Sequence, residues 1–584
     1  MTQQTDFLMK RTLCRLLLVV TLGTVSFGAL ADTDDAPILE GERFNPVIGQ
    51  HGMVATSNQL ASRIAHQVLS EGGNAVDAAV TAGFALAVTQ PRSGNIGGGG
   101  FMLISDEKSD KVISIDYREK APSGAWRTMF QDENGDVVEQ RSRFSANASG
   151  VPGTVAGLAL ALDRYGTLSL AEALKPAIRL ARDGFVVVPR FADGLQAAAE
   201  RLRQWDATRN KFYKSNGGFY QPGDVFRQPE LADTLQRIAD HGVDEFYRGK
   251  TADLIVKTIQ SHGGIMTRED LANYQPVVRQ PVHGTYRGYD IYSMGPPSSG
   301  GVHIVQILNI IENDDIGAMG FNSAATMHLM SEAMSRAYAD RSKYLGDPDF
   351  VDVPVQALTS KAYARSLRQQ IDMHHATPAS DLGPGNPTRY ESNETTHFSV
   401  ADDSGLAVSN TYTLNFSYGS GLTVAGAGFL LNNEMDDFSS KPGVPNAYGL
   451  IGGEANAIEG NKRMLSSMSP TIVKHDGRNF LITGSPGGSR IITTTLEVIS
   501  NVIDHHMNVQ SAVSVPRFHD QWLPDEIRIE QGISPDTIER LESMGHKVVK
   551  KDAMGASQSI LIRDDGTFTG GADPRRSTSS AMGL

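Results

Sequence analysis

Apolar residues crowd most densely between positions 53 and 90, where small side chains predict helix. Ala75, Val76, Ala78, Ala79, Val80, Ala82, Phe84, Ala85, Leu86, Ala87 and Val88 leave almost no polar face. A helix that is apolar all round is buried. It runs into a glycine run, Gly97 to Gly100, and then into two strand-like stretches, 101–105 and 111–117, separated by a polar turn. Residues 150–390 alternate helical segments, such as 169–183, with polar loops. Around 377–396 the texture changes: Pro378, Pro384, Pro387 and several Asn, Ser, Gly and Thr residues predict an exposed, poorly structured stretch. Alternation returns at 395–400. Asp402-Asp403-Ser404-Gly405 supplies turn chemistry, and 406–415 reads as a second strand. A flexible segment abutting a core strand is where a chain can be cut without losing its fold.

The hairpin carries a geometric expectation. Folding about Ser404 sets Thr395 opposite Thr413, and because residues two apart share a face, Thr411, Thr413 and Asn415 lie on the side of Thr395. Threonine is a favoured strand residue, so strand propensity alone also explains the pattern. Further on, 478–483 reads as a buried strand, Gly484-Ser485-Pro486-Gly487-Gly488-Ser489-Arg490 as a tight loop, and 491–504 as a helix. That layout binds anions, because a helix N-terminus presents unpaired N–H groups and glycine lets a ligand approach them. The lysine and spacing of a P-loop are missing. An oxyanion hole for acyl transfer uses the same physics. The runs 432–438 and 465–470 read, taken singly, as loop chemistry. His374-His375 and His505-His506 read as surface pairs, since adjacent side chains do not face one ligand.

Composition narrows the function. The 584 residues carry 40% hydrophobic and 20% charged side chains, enough for a large core in two or more folding units. A formal net charge of -13 without a long basic run argues against nucleic-acid binding. Lys10, Arg11 and Arg15 precede an apolar run, 16–30, and the small-residue pattern Ala29-Leu30-Ala31. This predicts an export signal over residues 1–31, cut after Ala31, that is too short for a stable membrane anchor. The single cysteine, Cys14, lies inside it, so a mature chain has no thiol for disulfides, nucleophilic catalysis or metal binding.

Together these segments resemble the gamma-glutamyltransferase family, also called glutathione hydrolases. The resemblance rests on Thr395-Thr396-His397-Phe398-Ser399-Val400, Tyr412-Thr413-Leu414-Asn415, residues 432–439, residues 465–471 and Gly484-Ser485-Pro486-Gly487-Gly488-Ser489. The glycine run, Asp116-Tyr117-Arg118-Glu119 and Asp573-Pro574-Arg575 extend it over nearly the whole mature chain.

The resemblance implies an α/β fold, the four-layer αββα sandwich of N-terminal-nucleophile hydrolases, cut by itself between Glu394 and Thr395. Residues 32–394 become the large subunit and 395–584 the small one, held as an exported heterodimer, periplasmic in the first reading and secreted in the alternative. Thr395 is implied as nucleophile, Thr413 as its orienting partner, and Gly487 and Gly488 as oxyanion donors. Arg118, Ser466 and Ser467 are implied to bind the α-carboxylate of a γ-glutamyl group, and Asn415, Glu434 and Asp437 its ammonium. Some relatives have Gln at position 434, which can also accept from an ammonium. Residues 442–449 resemble a lid loop latched by Tyr448. The implied substrates are glutathione and related γ-glutamyl compounds, with water, amino acids or short peptides as acceptors and no cofactor or metal. The nearest rival, a cephalosporin or glutaryl acylase, shares fold and self-cleavage but needs no ammonium site. A non-enzymatic exported binding protein predicts an intact chain.

Overall fold

A computed structural model describes residues 45–382, 395–447 and 449–584. The export signal, Glu394 and Tyr448 lie outside the described residues. Two seven-stranded sheets stack face to face. One contains the hairpin, Thr396–Asp402 and Leu406–Thr413, flanked by Gly52–Thr56 and by Gly99–Asp106. The other is built around Thr471–His475 and Arg478–Thr483. Between the sheets lies an apolar layer that includes Met53, Phe101, Leu103, Ala401, Ile472, Ile482 and Ile560. Helices cover both outer faces: Ala75–Thr89 packs on the first sheet, Gly300–Ile311 and Ile491–Ile503 on the second. Alternation along each strand sends one set of side chains to the inner layer and the other to the helices. The result is the expected αββα sandwich.

The helix Ala75–Thr89 is buried at every position. The small-residue stretch before it is broken up, however. Gly52–Thr56 is a buried strand, and Gly72, with a φ of +93°, ends the helix Gln59–Ser70. Asn58 and Asn74 cap the two helices, each cap worth about 1 kcal/mol. The middle region also departs from helices and loops alone. Val277–Arg279 joins the hairpin sheet, while Val282–Tyr286 and Tyr289–Ser293 complete the edge of the other. These strands are short and half exposed, so they carry little alternation. Of the stretch expected to be exposed, Ala379 is buried, with its carbonyl accepting from Trp522 Nε1 at 3.0 Å. Residues 383–394 lie outside the described residues.

The hairpin register agrees with the expectation at every pair, from Thr396 opposite Tyr412 to Ala401 opposite Ala407. The glycine run explains how the neighbouring strand approaches it. A Cβ at Gly98 would lie 2.0 Å from the Thr413 carbonyl oxygen, and one at Gly100 would lie 2.4 Å from that of Thr411. Asn95 reinforces the contact by donating to the Thr413 carbonyl at 2.9 Å. The sheet therefore holds the end of Leu406–Thr413 rigidly, and Thr395 opposite it.

Candidate active site

At the open end of the hairpin, Thr395 Oγ1 donates to Thr413 Oγ1 at 3.4 Å, and Thr413 Oγ1 also accepts from the Asn415 N–H at 2.8 Å. Asn415 has a φ of +74°, a backbone that Asn tolerates better than most residues, and this turns the chain out of the sheet. Its side chain donates to the Asn433 carbonyl at 3.0 Å, tying the hairpin to the acidic loop. Arg576 reaches the Thr395 carbonyl at 3.3 Å. Thr395, Thr413 and Asn415 line one cavity together with Arg118, Glu434, Asp437, Ser466, Ser467 and Gly488.

Thr411 shares their face but lies below the cavity, bonded to His397 Nδ1 at 2.8 Å. His397 Nε2 meets Ser399 Oγ at 3.1 Å, forming a polar pillar between the sheets. Burial holds the His397 imidazole far down, at about 3, so it is neutral. Gly484 abuts this ring: a Cβ there would lie 2.4 Å from the ring carbon Cε1. Because both ring nitrogens are bonded, the imidazole cannot retreat freely. Gly484→Ala is expected to cost about 1–3 kcal/mol, the scale of core overpacking. It should also slow turnover by shifting the loop that follows. Thermal denaturation and steady-state rates check this, and a wild-type melting temperature would refute it.

That loop is the expected turn. Gly487 and Gly488 have φ of +137° and +56°, both outside the range other residues adopt easily. Gly488 begins a short 3₁₀ turn, Gly488–Arg490, that leads into Ile491–Ile503. Gly488 and Ser489 line the cavity, and a Cβ at Gly487 would lie 3.5 Å from Gly555 Cα. The Tyr338 hydroxyl donates to the Ser489 carbonyl at 2.5 Å, fixing the loop to the helix Ala324–Tyr344.

Glu434 and Asp437 begin and end one 3₁₀ turn, Glu434–Asp437. With three residues per turn their side chains project to the same side. Both meet Arg118, which follows the strand Lys111–Tyr117: Nη1 donates to Glu434 and Nη2 to Asp437. Glu119 adds a third carboxylate 3.7 Å from the same guanidinium. Burial pushes Glu434 well above the usual carboxylate range, and Glu119 repels it further, while Arg118 pulls it back. Asp437 is raised by burial against the same pull. Asn432 anchors this turn through bonds to the Gly97 and Gly150 carbonyls. Ser466 and Ser467 line the same cavity. The Ser466 N–H donates to the Pro297 carbonyl at 2.8 Å, and the Ser466 carbonyl accepts from the Ser299 N–H at 2.9 Å. These bonds hold the serine loop against the start of Gly300–Ile311.

The expected site residues among those described line this one cavity, apart from Gly487, which directly precedes the lining Gly488. Sequence reasoning missed Arg341, Leu450, Met468, Ser489 and Ile491, which also line the cavity. Arg341 lies within a long helix whose local pattern marks no single residue. His374, His375 and His506 are exposed, as expected for surface residues, and His505 is half-buried. A metal-type grouping away from the cavity, His328, Glu332 and His546, has its donors engaged. The two imidazoles are hydrogen-bonded at 2.6 Å, closer than the roughly 3.3 Å that two nitrogens keep around a tetrahedral zinc. Glu332 accepts from Arg336 and from both Thr377 N and Thr377 Oγ1.

A sequence profile described as gamma-glutamyltranspeptidase matches residues 61–583. The glutathione hydrolase proenzyme of Escherichia coli is 53% identical over 565 residues, spanning 96% of this chain and 97% of that protein. Among solved structures, the cephalosporin acylase from Bacillus halodurans aligns with a TM-score of 0.83 at 29% identity, covering 96% of this chain and 99% of that one. The gamma-glutamyltranspeptidase of Helicobacter pylori aligns over 56% of this chain and 94% of that chain, at 48% identity and a TM-score of 0.56. The chain is therefore an enzyme of the gamma-glutamyltranspeptidase family, with the fold of the N-terminal-nucleophile hydrolases.

Proposed function

We propose that this enzyme is made as an exported precursor, cleaves itself between Glu394 and Thr395, and then hydrolyses glutathione and other γ-glutamyl amides or transfers their γ-glutamyl group. The carrying observation is the juxtaposition of the Thr395 hydroxyl with Arg118, Glu434 and Asp437 in one cavity. A nucleophile beside charges of both signs suits an α-amino acid head group.

In maturation the Thr395 hydroxyl attacks the Glu394 carbonyl carbon. The acyl group moves from nitrogen to oxygen, and water opens the resulting ester, giving chains 32–394 and 395–584. The freed α-amino group, with an ordinary pKa of about 7.7–8.0, can take the proton of its own hydroxyl near neutral pH. Thr395 Oγ1 then attacks the γ-carbonyl of the donor. The Gly487 and Gly488 N–H groups receive the negative charge that develops on its oxygen. Collapse of this intermediate passes the proton to the leaving amine and leaves a γ-glutamyl ester on Thr395. Water or the amine of an acceptor attacks that ester and regenerates the hydroxyl. Thr413 orients the attacking group throughout.

The head group would exchange partners with the internal ion cluster. Its ammonium would take the carboxylates of Glu434 and Asp437 together with the Asn415 side chain, and its carboxylate would take Arg118, Ser466 and Ser467. A guanidinium fork matches a carboxylate in two parallel bonds. The loop that begins at Pro442 would close over it.

The cephalosporin acylase likeness supports a second reading, a glutaryl-type acylase. The two differ at the ammonium. Paired rates on a γ-glutamyl anilide and its des-amino glutaryl analogue separate them. We expect the γ-glutamyl donor to be faster by about 100-fold or more in kcat/KM, because a des-amino donor whose carboxylate draws Arg118 would leave Glu434 and Asp437 without a compensating cation. Equal rates would favour the acylase.

A further inference from the structure

Arg341 projects from the helix Ala324–Tyr344 into the wall of the cavity, where it is buried. Nε donates to Ser299 Oγ at 2.9 Å and Nη2 to Ser467 Oγ at 3.2 Å. Those two bonds use only part of a guanidinium that carries five N–H donors. Among the described residues Arg341 forms no ion pair. The carboxylate whose field reaches it, Asp437, is already bonded to Arg118 at 2.5 Å. Burial pulls the Arg341 guanidinium down to about 10, still charged at neutral pH.

The neighbouring arginine is in the opposite situation. Arg118 faces Glu434, Asp437 and Glu119, and it also donates to the Met464 and Leu465 carbonyls. Its guanidinium already faces three carboxyl groups before any ligand arrives. Buried charges are ordinarily paired, since desolvation costs several kcal/mol per ion. A buried cation on a cavity wall, lacking an ion-pair partner and bonded to a serine of that same wall, has the character of an anion site.

We propose that Arg341 binds the α-carboxylate of the γ-glutamyl group and sets the requirement for it, with Ser467 held between the two. This deepens the proposed function and rests on it. The ammonium would draw Glu434 and Asp437, while the carboxylate would be received by Arg341 and Ser467 as well as by Arg118. The site would then read both charges of the amino acid head group with separate cations and anions.

The test compares competitive inhibition by L-glutamate and by 4-aminobutyrate, which differ only in the α-carboxylate, against hydrolysis of a γ-glutamyl anilide. In Arg341→Gln the inhibition constant of glutamate should rise about 10- to 100-fold, the range for losing a charged hydrogen-bonding partner. KM for the anilide should rise with it and kcat should change less. The constant for 4-aminobutyrate should stay unchanged. Arg341→Lys, which keeps the charge and loses the fork, should show the same selective loss at smaller size, and it carries the test if the glutamine variant does not fold. Equal weakening of both inhibitors, or no weakening of glutamate, would overturn the proposal while leaving the proposed function intact. Failure of the unaltered enzyme to turn over the anilide would overturn the proposed function and this inference with it.

Discussion

Thr395→Ala is expected to give a single uncleaved chain with no measurable turnover. The substitution removes the one hydroxyl assigned to both reactions, so maturation and catalysis should fail together. Fold should survive. Thr395 precedes the strand Thr396–Asp402, whose pairing on both sides does not depend on its side chain, and among the described residues only the 3.4 Å bond to Thr413 is lost. The melting temperature should therefore stay close to that of an uncleaved wild-type precursor. Turnover should fall on the order of 10⁴-fold or more, the scale on which deleting a hydroxyl nucleophile acts. Denaturing electrophoresis and N-terminal sequencing read maturation, and anilide hydrolysis reads turnover. A fragment of the variant beginning at residue 395 would remove Thr395 from the cleavage step. Thr395→Ser keeps the hydroxyl and should still mature, which separates loss of the nucleophile from any disturbance of the strand.

The features behind this expectation are unequally legible in the sequence. The hairpin is readable because its signals are local: strand alternation fixes the faces, and Asp402 to Gly405 fixes the turn, so the partner of Thr395 follows from counting. The strand Arg478–Thr483 and the glycine turn after it are readable for the same reason. What bends Asn415 toward the acidic loop is not, because it depends on Asn433, met only after the chain has left the sheet and returned. The glycine run illustrates the limit from the other side. Its composition marks it as unusual, but only the structure shows that its lack of Cβ atoms lets Gly98 and Gly100 press against the hairpin carbonyls. Family motifs supply Arg118, Glu434 and Asp437 as separate recognition groups. Their mutual ion cluster joins residues more than three hundred positions apart, and no local pattern encodes it. Arg341 escapes for a related reason: apolar and polar residues are mixed along its helix, so nothing local separates a cavity-wall arginine from a surface one until the fold is known.

Breaking that cluster at its centre should affect both binding and stability. Arg118→Met removes the cation and leaves Glu434, Asp437 and Glu119 facing one another in a buried site. Deleting one partner of a buried ion pair costs about 3–5 kcal/mol, because the other charge is left without compensation. The carboxyls escape part of that cost by staying protonated, and this makes the deficit depend on pH. Glu434 and Asp437 are raised by burial even with Arg118 pulling them down. Without that pull their folded-state values rise further above the ordinary range of about 3.9–4.3. The folded state then holds protons that the unfolded state releases, so stability is lost as pH climbs from that ordinary range through the raised folded values. The stability deficit of Arg118→Met relative to wild type should accordingly be smaller at pH 5 than at pH 8, as measured by denaturant unfolding at the two pH values. Equal deficits would mean that the carboxyls are not held by Arg118 in the way the geometry implies. Turnover of the γ-glutamyl anilide should fall chiefly through KM, because the lost group binds the head of the donor rather than the reacting carbonyl.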